Sequence, residues 1–427
     1  MPRPAKPRTQ DPAVTAAAAA ARPGTRVRPA MPAMEVRASR GMPLGMPPSR
    51  FLSLYWQKHP LLIRGALAGW RVPITAEDLA GLACEESVLA RIVCRDRKQA
   101  NWVLLPGPYK EASFTALPAQ DWTLLVQDVD KWDADVAGLL DFVRFLPTWR
   151  IDDVMVSYAT DGGGVGPHVD QYDVFLVQGK GRREWSICTD RHASHALRPR
   201  TDLKLLAEFS PTHRFVLEPG DVLYLPPNLP HDGVAQGECM TFSIGMRAPA
   251  ESELLLDLAE HLAEQMPDTL RYADPDLRPA RAPGLIDAAA LDRARALLGP
   301  FAQRIKGVEF AVWFGRMVTR YRSAALIAGN GQPVALEQVR AALTSGRALL
   351  RHPFARFAWL EHGSDGASLF AAGHMIHCPR ALAEALCAHA RIEADDVVLR
   401  DGAALTALRE LLAAGCVQFA RAPRKHA

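Results

Sequence analysis

Two short stretches constrain this chain more than any others. They are Gly162-Gly163-Gly164-Val165-Gly166-Pro167-His168-Val169-Asp170 and Glu218-Pro219-Gly220-Asp221-Val222-Leu223-Tyr224-Leu225-Pro226-Pro227-Asn228-Leu229-Pro230-His231. In the first, His168 and Asp170 stand two apart. On a strand, alternate side chains share a face, so both can reach one centre. The flanks have strand composition: Ile151 to Thr160 is rich in Val, Ile, Met and Tyr, and Val174-Phe175-Leu176-Val177 follows the aspartate. The glycines between Asp161 and Gly166 read as the turn between these strands. In the second stretch, Pro219-Gly220 makes a turn into a short strand, Asp221 to Leu225. Pro226-Pro227 ends that strand, because proline cannot donate to the ladder. The proline-flanked loop then delivers His231 to a fixed place.

Together the stretches offer two imidazoles and one carboxylate. That is the ligand set of the 2-His-1-carboxylate triad, which leaves open positions on a non-haem Fe(II). An isolated His-x-Asp is common and proves nothing alone. His192, His195 and His213 compete for the third ligand place, but they lie in a polar, Arg- and Asp-rich connection and read as surface residues. The glycine run lacks the Gly-Lys-Ser/Thr ending of a phosphate loop and does not open a helix. Gly220, Pro226 and His231 fit Gly-x5-Pro-x4-His, and Gly162, His168 and Gly179 fit a companion pattern. These resemble the two half-motifs of the cupin double-stranded β-helix. The glutamate of the usual cupin set is missing, with Tyr172 near its place, which fits a variant with one carboxylate ligand.

Oxygen chemistry on such a metal needs an electron-donating cosubstrate, and 2-oxoglutarate chelates iron at one end while its other carboxylate needs a cation. Gly179-Lys180-Gly181-Arg182-Arg183-Glu184-Trp185-Ser186-Ile187 is the source. As a strand it puts Arg183, Trp185 and Ile187 on one face. The apolar pair makes that face inward, so Arg183 is buried and able to form a bidentate, charge-assisted pair with a carboxylate. Arg182 and Glu184 point outward. Ser157 adds a hydroxyl from the preceding strand.

The segment from Arg150-Ile151-Asp152-Asp153-Val154-Met155 through Pro167-His168-Val169-Asp170-Gln171-Tyr172-Asp173-Val174-Phe175 resembles the bacterial ribosomal oxygenases of the JmjC group. So do Gly181-Arg182-Arg183-Glu184-Trp185, the run Glu218 to Pro227, Pro230-His231-Asp232-Gly233 and Gly245-Met246-Arg247-Ala248-Pro249. The resemblance runs from about Phe51 to the C-terminus and is densest over the barrel. It implies an α+β fold: a JmjC-type double-stranded β-helix (cupin barrel), then a helical dimerisation domain and a winged-helix-like C-terminal domain. It implies hydroxylation with Fe(II), 2-oxoglutarate and O2 of an arginine β-carbon in ribosomal protein L sixteen of the large subunit; human relatives hydroxylate histidine. Motif by motif, His168, Asp170 and His231 take the metal roles, and Arg183 and Ser157 the 2-oxoglutarate roles, with Ser243 near the cosubstrate. Beside the metal pair, Tyr172 is expected to stack on a substrate guanidinium and Asp173 or Asp161 to grip it. Other classes stay open here: a JmjC hydroxylase or demethylase of another protein, with a histidine or lysine target, a cupin metalloenzyme that does not use 2-oxoglutarate, and a non-catalytic binding module. A buried Arg183 discriminates against the second, and an intact triad against the third.

At 427 residues, two or three domains are expected. The formal charge of +3 does not announce a nucleic-acid binder. No apolar run reaches the ~18 residues that cross a membrane. The seven cysteines are scattered, odd in number and without Cys-x-x-Cys, which predicts reduced thiols in the cytoplasm. Residues 1–46, rich in Ala, Pro and Arg, read as a disordered extension, with Met42 or Met46 as alternative starts. Residues 47–249 form the catalytic domain, with a helix over Phe51–Trp56, a strand over Leu61–Arg64, a helix capped by Thr75, a strand over Trp122–Val126 and a helix over Asp135–Phe145. Residues 250–328 read as helices whose apolar faces exceed what they can bury among themselves, which suggests packing on the barrel or on a second chain; the resemblance implies that this is a dimerisation domain of a homodimer, with an isologous two-fold interface as the default symmetry. Residues 329–427 read as helix, hairpin and helices, a winged-helix-like unit with balanced charge and a protein-contact rather than DNA-binding role. His374, His377 and Cys378 lack a fourth ligand and read as structural.

Overall fold

The structure is a computed structural model and describes residues 31–421, apart from 97, 99, 100, 200, 280–285, 300–303, 323, 328, 330 and 333. The alternating apolar runs become a ten-stranded sheet of β1 (Glu35–Arg37), β2 (Leu61–Arg64), β3 (Ala90–Asp96), β4 (Asn101–Pro106), β5 (Trp122–Val126), β6 (Ile151–Ala159), β7 (Val174–Ile187), β8 (His213–Leu217), β9 (Val222–Leu225) and β10 (His231–Met246). Its order is β1-β2-β9-β7-β10-β6-β5-β3-β4, with β8 added beside β7. Two long strands are each used twice. The first half of β7 pairs with β9 and its second half with β8. β10 pairs with β7 along most of its length, and its register breaks between Gln236 and Thr241. Such a break bends the strand and raises its twist, so the sheet folds over into the double-stranded β-helix implied by the half-motifs.

Helices wrap the barrel: α1 (Pro48–Leu54), α2 (Ala76–Leu82), α3 (Glu111–Thr115), α4 (Val129–Trp132) and α5 (Ala134–Ala137). Phe51 of α1 sits edge-on to Tyr224 at 5.0 Å and reaches Phe175 at 5.7 Å. Thr75 and Asp78 form the reciprocal capping box of α2. The helix expected over 135–145 is instead α5 followed by a 3-10 turn, Gly138–Val143, although Val136, Leu139 and Val143 are buried as its periodicity requires. The β3–β4 hairpin has no counterpart among the elements expected from the sequence. The expected disorder to residue 46 is also corrected: β1 pairs in parallel with β2, and Leu44 and Met46 are core residues. A chain beginning at Met42 or Met46 would lack β1. Residues 1–30 lie outside the described residues.

Beyond the barrel come α6 (Glu251–Ala263), α7 (Ala288–Leu298) and α8 (Val308–Thr319). The final unit holds α9 (Leu336–Thr344), β11 (Leu349–Arg351), β12 (Phe357–His362), β13 (Gly366–Ala371), β14 (His374–Pro379), α10 (Arg380–Ala388), β15 (Arg391–Ile392), α11 (Gly402–Ala413) and β16 (Val417–Phe419). The expected hairpin gains a third strand, β14. α8 belongs to both outer units: Trp313 donates to Asp257 of α6 at 2.7 Å, while Gly315 lies so close to Phe370 of β13 that a Cβ there would meet the ring at 2.4 Å. Arg247, at the end of the barrel, donates to the carbonyls of Met317, Val318 and Arg320 and caps α8. No helix among the described residues is long and apolar enough to cross a membrane.

Candidate metal and cosubstrate site

The stretch expected as a strand through His168 and Asp170 is an extended loop joined to β10 by one bridge, His168 to His231. Each of the two exchanges its N–H for the other's carbonyl at 3.0 Å. In such an antiparallel pair the side chains leave on the same face, so the bridge itself brings the imidazoles together, with ring centroids 4.2 Å apart. Asp170, two residues on in extended backbone, adds its carboxylate 3.9 Å from His168 Nε2 and 3.7 Å from His231 Nε2. Among the described residues these three form the one cluster of His, Cys, Asp or Glu whose ligand atoms all lie within 4.8 Å of one another.

Local backbone fixes the ring tautomers. His168 Nδ1 faces the Gly166 carbonyl at 2.8 Å and His231 Nδ1 faces that of Leu229 at 2.9 Å. A carbonyl only accepts, so each Nδ1 carries the proton and each Nε2 keeps its lone pair for a metal. Burial, and then the neighbouring His168, hold His231 well below the ordinary histidine range. The glycine run is needed for close approach: a Cβ on Gly163 would lie 2.2 Å from the Trp122 carbonyl oxygen, and one on Gly164 2.4 Å from that of Gly233. Asn228 adopts a positive φ of 62° and donates its N–H to the Asp170 carbonyl at 2.7 Å, tying the proline loop to the metal loop.

These three side chains line a cavity of about 620 Å³ with Arg183, Ser157, Ser243 and Trp185. On β7 the inward parity holds: Arg183, Trp185 and Ile187 are buried and Arg182 is exposed. Arg183 approaches Ser157 Oγ with Nη1 at 3.5 Å, while its Nε and Nη2 have no protein partner. Those two atoms form one edge of the guanidinium and match the two oxygens of a carboxylate. A buried guanidinium edge with no hydrogen-bond acceptor is costly, so this edge fits the remote carboxylate of a diacid held by a metal at its other end.

The expected substrate residues divide. Tyr172 lines the cavity and is partly exposed. Burial, and then Asp170, raise its hydroxyl pKa. Asp173 is a correction: it is fully buried, away from the cavity, accepting from Tyr224 Oη at 2.6 Å and Gln57 Nε2 at 3.0 Å, with Arg150 Nη2 at 3.6 Å. Asp161 is another: its carboxylate accepts the Gly237 N–H at 2.8 Å, capping the bend of β10 away from the cavity wall. Besides Asp170, the acids that do line the cavity are Glu86, Asp152 and Asp153, with Met155 beside the last two. Parity on β6 could have found Asp153, since Asp153, Met155 and Ser157 alternate onto one face. Burial, and then Asp128, Asp152 and Asp130, push Asp153 up to about 7. Arg322 stands 3.5 Å from its carboxylate. His192 and His195 are exposed, as expected of surface residues.

A family model described as a JmjC domain matches residues 138–254, and one described as a ROXA-like winged helix matches residues 302–418. The second match begins before α8, in keeping with the packing of α8 on β13. The ribosomal protein uL16 3-hydroxylase of Escherichia coli is 34% identical over 368 residues, which cover 86% of this chain and 95% of the relative. A probable ribosomal oxygenase of Haemophilus influenzae is 38% identical over 228 residues, 53% of this chain and 56% of that one. The X-ray structure of E. coli YcfD aligns with a TM-score of 0.76 at 33% identity, covering 88% of this chain and 98% of that chain. The structure of YcfD in complex with cobalt and 2-oxoglutarate aligns with a TM-score of 0.73 at 32% identity, covering 87% and 98%. An identity of this level along almost the whole of a curated relative, together with the same fold, places the chain in the JmjC group, as a member of the ribosomal oxygenase family.

Proposed function

We propose that this chain is an Fe(II)- and 2-oxoglutarate-dependent oxygenase that hydroxylates an arginine β-carbon of a large-subunit ribosomal protein, uL16. The observation that carries the reading is one cavity holding both the His168–Asp170–His231 cluster and the unpaired edge of buried Arg183. When bound, iron and 2-oxoglutarate supply the oxidising power to insert one oxygen atom of O2 into a C–H bond, with succinate and CO2 as co-products. The protein's own part is positional. His168, Asp170 and His231 hold the metal through atoms whose orientation the backbone has set. Arg183 and Ser157, with Ser243 nearby, orient the cosubstrate. Tyr172 and Met155 flank the entering side chain, and ionised Asp152, with the Asp153 carboxyl beside it, supplies the negative charge that an arginine requires. Arg183 disfavours a cupin metalloenzyme without 2-oxoglutarate, which has no use for a buried cation there.

The same reading places the enzyme in the cytoplasm, supported by seven free thiols, and makes it a homodimer. Leu255, Leu256, Leu270, Leu277, Leu298 and Val308 all expose more than half of their surface on the segment around α6 to α8, far beyond scattered surface apolar residues.

The test is mass spectrometry of ribosomal proteins incubated with purified enzyme, Fe(II), 2-oxoglutarate and oxygen. One added oxygen on an arginine of uL16, absent without 2-oxoglutarate, is the expected result. Consumption of 2-oxoglutarate with no oxygen on any ribosomal protein would discard the target. His231→Ala is expected to abolish turnover and lower Fe(II) affinity by at least a hundredfold; an active variant with bound iron would refute the ligand assignment.

A further inference from the structure

Resting on that reading of the cavity, we propose that the indole N–H of Trp185 is a further donor to the remote carboxylate of 2-oxoglutarate, and that Trp185 is a cosubstrate-positioning residue. From sequence alone Trp185 serves only to mark the apolar, inward face of β7. The structure gives its polar atom a task.

Three inward rungs join β7 to β10 along the cavity floor: Ile187 with His231, Trp185 with Gly233, and Arg183 with Ala235. Alternate rungs are about 6.8 Å apart along a strand. Trp185 therefore stands between the metal ligand and the buried cation. Its ring centroid is 5.9 Å from that of His231, and the Arg183 guanidinium carbon is 5.8 Å from it. A five-carbon diacid chelated at the metal and paired with Arg183 must pass along this rung.

The wall is chemically one-sided. Trp185 is 5% exposed and its Nε1 has no hydrogen-bond partner. Among the described residues that line the cavity, the buried polar side-chain atoms left without a partner are Arg183 Nε, Arg183 Nη2 and Trp185 Nε1. All three are donors. Buried indole N–H groups normally find an acceptor, and a wall of unmet donors fits a ligand that only accepts. A carboxylate does so through two oxygens and about four lone-pair sites. Two of those sites meet the Arg183 edge, and Trp185 takes another.

The indole is also held in place. A Cβ on Gly233 would lie 2.7 Å from Cη2 and Cζ3 of the ring and 2.9 Å from Cε3. The benzo edge thus rests directly on the β10 backbone, which only glycine allows, and the pyrrole edge is turned away from it.

The experiment is calorimetric titration of 2-oxoglutarate into Mn(II)-loaded protein, wild type against Trp185→Phe and Arg183→Met. Trp185→Phe is expected to raise the 2-oxoglutarate Kd about tenfold, the effect of one hydrogen bond to a charged acceptor, with Mn(II) affinity unchanged. In Zn(II)-loaded, 15N-indole-labelled wild-type protein, where the metal is diamagnetic, the N–H resonance that this variant lacks should move downfield when 2-oxoglutarate is added. A Kd within twofold of wild type, or an unmoved resonance, overturns the proposal. If phenylalanine leaves too large a void for folding, benzothienylalanine at position 185 replaces the N–H with sulfur in a ring of nearly the same shape and makes the same comparison. Arg183→Met separates the two readings. If it does not weaken 2-oxoglutarate, the cavity assignment itself fails. If it does and Trp185→Phe does not, only the role of Trp185 fails.

Discussion

Asp153 carries a carboxyl whose pKa is raised in the folded protein by burial and then by the negative charges of Asp128, Asp152 and Asp130, which outweigh the nearby Arg322. With its pKa raised from 3.8 to about 7, the folded state binds a proton that the unfolded chain releases between those values. Stability therefore falls as pH rises through that window, by on the order of 4 kcal/mol for a group shifted this far. Asp153→Asn removes the titration, so the variant should lose less stability than wild type between pH 4.5 and 8, read from denaturant midpoints at each pH. Identical pH slopes for the two proteins would contradict the assignment. Asp173, its counterpart in the sequence reading, is already engaged by Tyr224 and Gln57. Truncating it should act on folding rather than on substrate contact.

Among the elements, the decisive one is the loop of residues 162–170, a segment without regular secondary structure that runs along β10. Gly162 donates to the Ala235 carbonyl at 3.0 Å and Ala235 donates to that of Gly163 at 2.9 Å, which align the loop until the His168–His231 bridge closes it. Gly164→Ala sets a methyl against the backbone oxygen of Gly233, where no side chain can rotate out of the way. The loop must lift from β10, and His168 and Asp170 lift with it. We expect Co(II) affinity to drop by tenfold or more with circular dichroism nearly unchanged; an unaltered Co(II) Kd would show that the close approach does not set the ligand geometry.

At the scale of the molecule, the barrel and the outer units share a polar seam. Arg247 holds the end of α8, Arg356 of the last unit pairs with Asp152 on β6, and Tyr321 and Arg322 reach Asp128. Arg322 and Asp152 also line the cavity, so the outer units finish its rim. Arg247→Met deletes the donors to three α8 carbonyls. At about 1.5 kcal/mol or more for each bond to a charged group, diminished by water taking some of their places, a loss of about 2–4 kcal/mol is expected. Calorimetry should show the outer units melting ahead of the barrel, with Co(II) affinity retained. A single unchanged transition would mean that the seam contributes little.

The convergence of His168, Asp170 and His231, the buried Arg183 and the order of barrel, helices and winged helix were legible in the sequence, because each depends on local signals: proline and glycine punctuation, strand parity and helical periodicity. Parity on β6 marks Asp153 as well, whereas nearness in sequence to His168 and Asp170 points to Asp173 and Asp161. Nearness along a chain says little about direction where the backbone turns. Asp173 lies at the start of β7 and faces the Tyr224 side, while Asp161 lies at the far end of the glycine run. The pairing of β1 with β2, the sharing of α8 and the unmet N–H of Trp185 had no local signal at all. Each depends on which surfaces remain unsatisfied once distant segments have packed, and only the tertiary structure decides that.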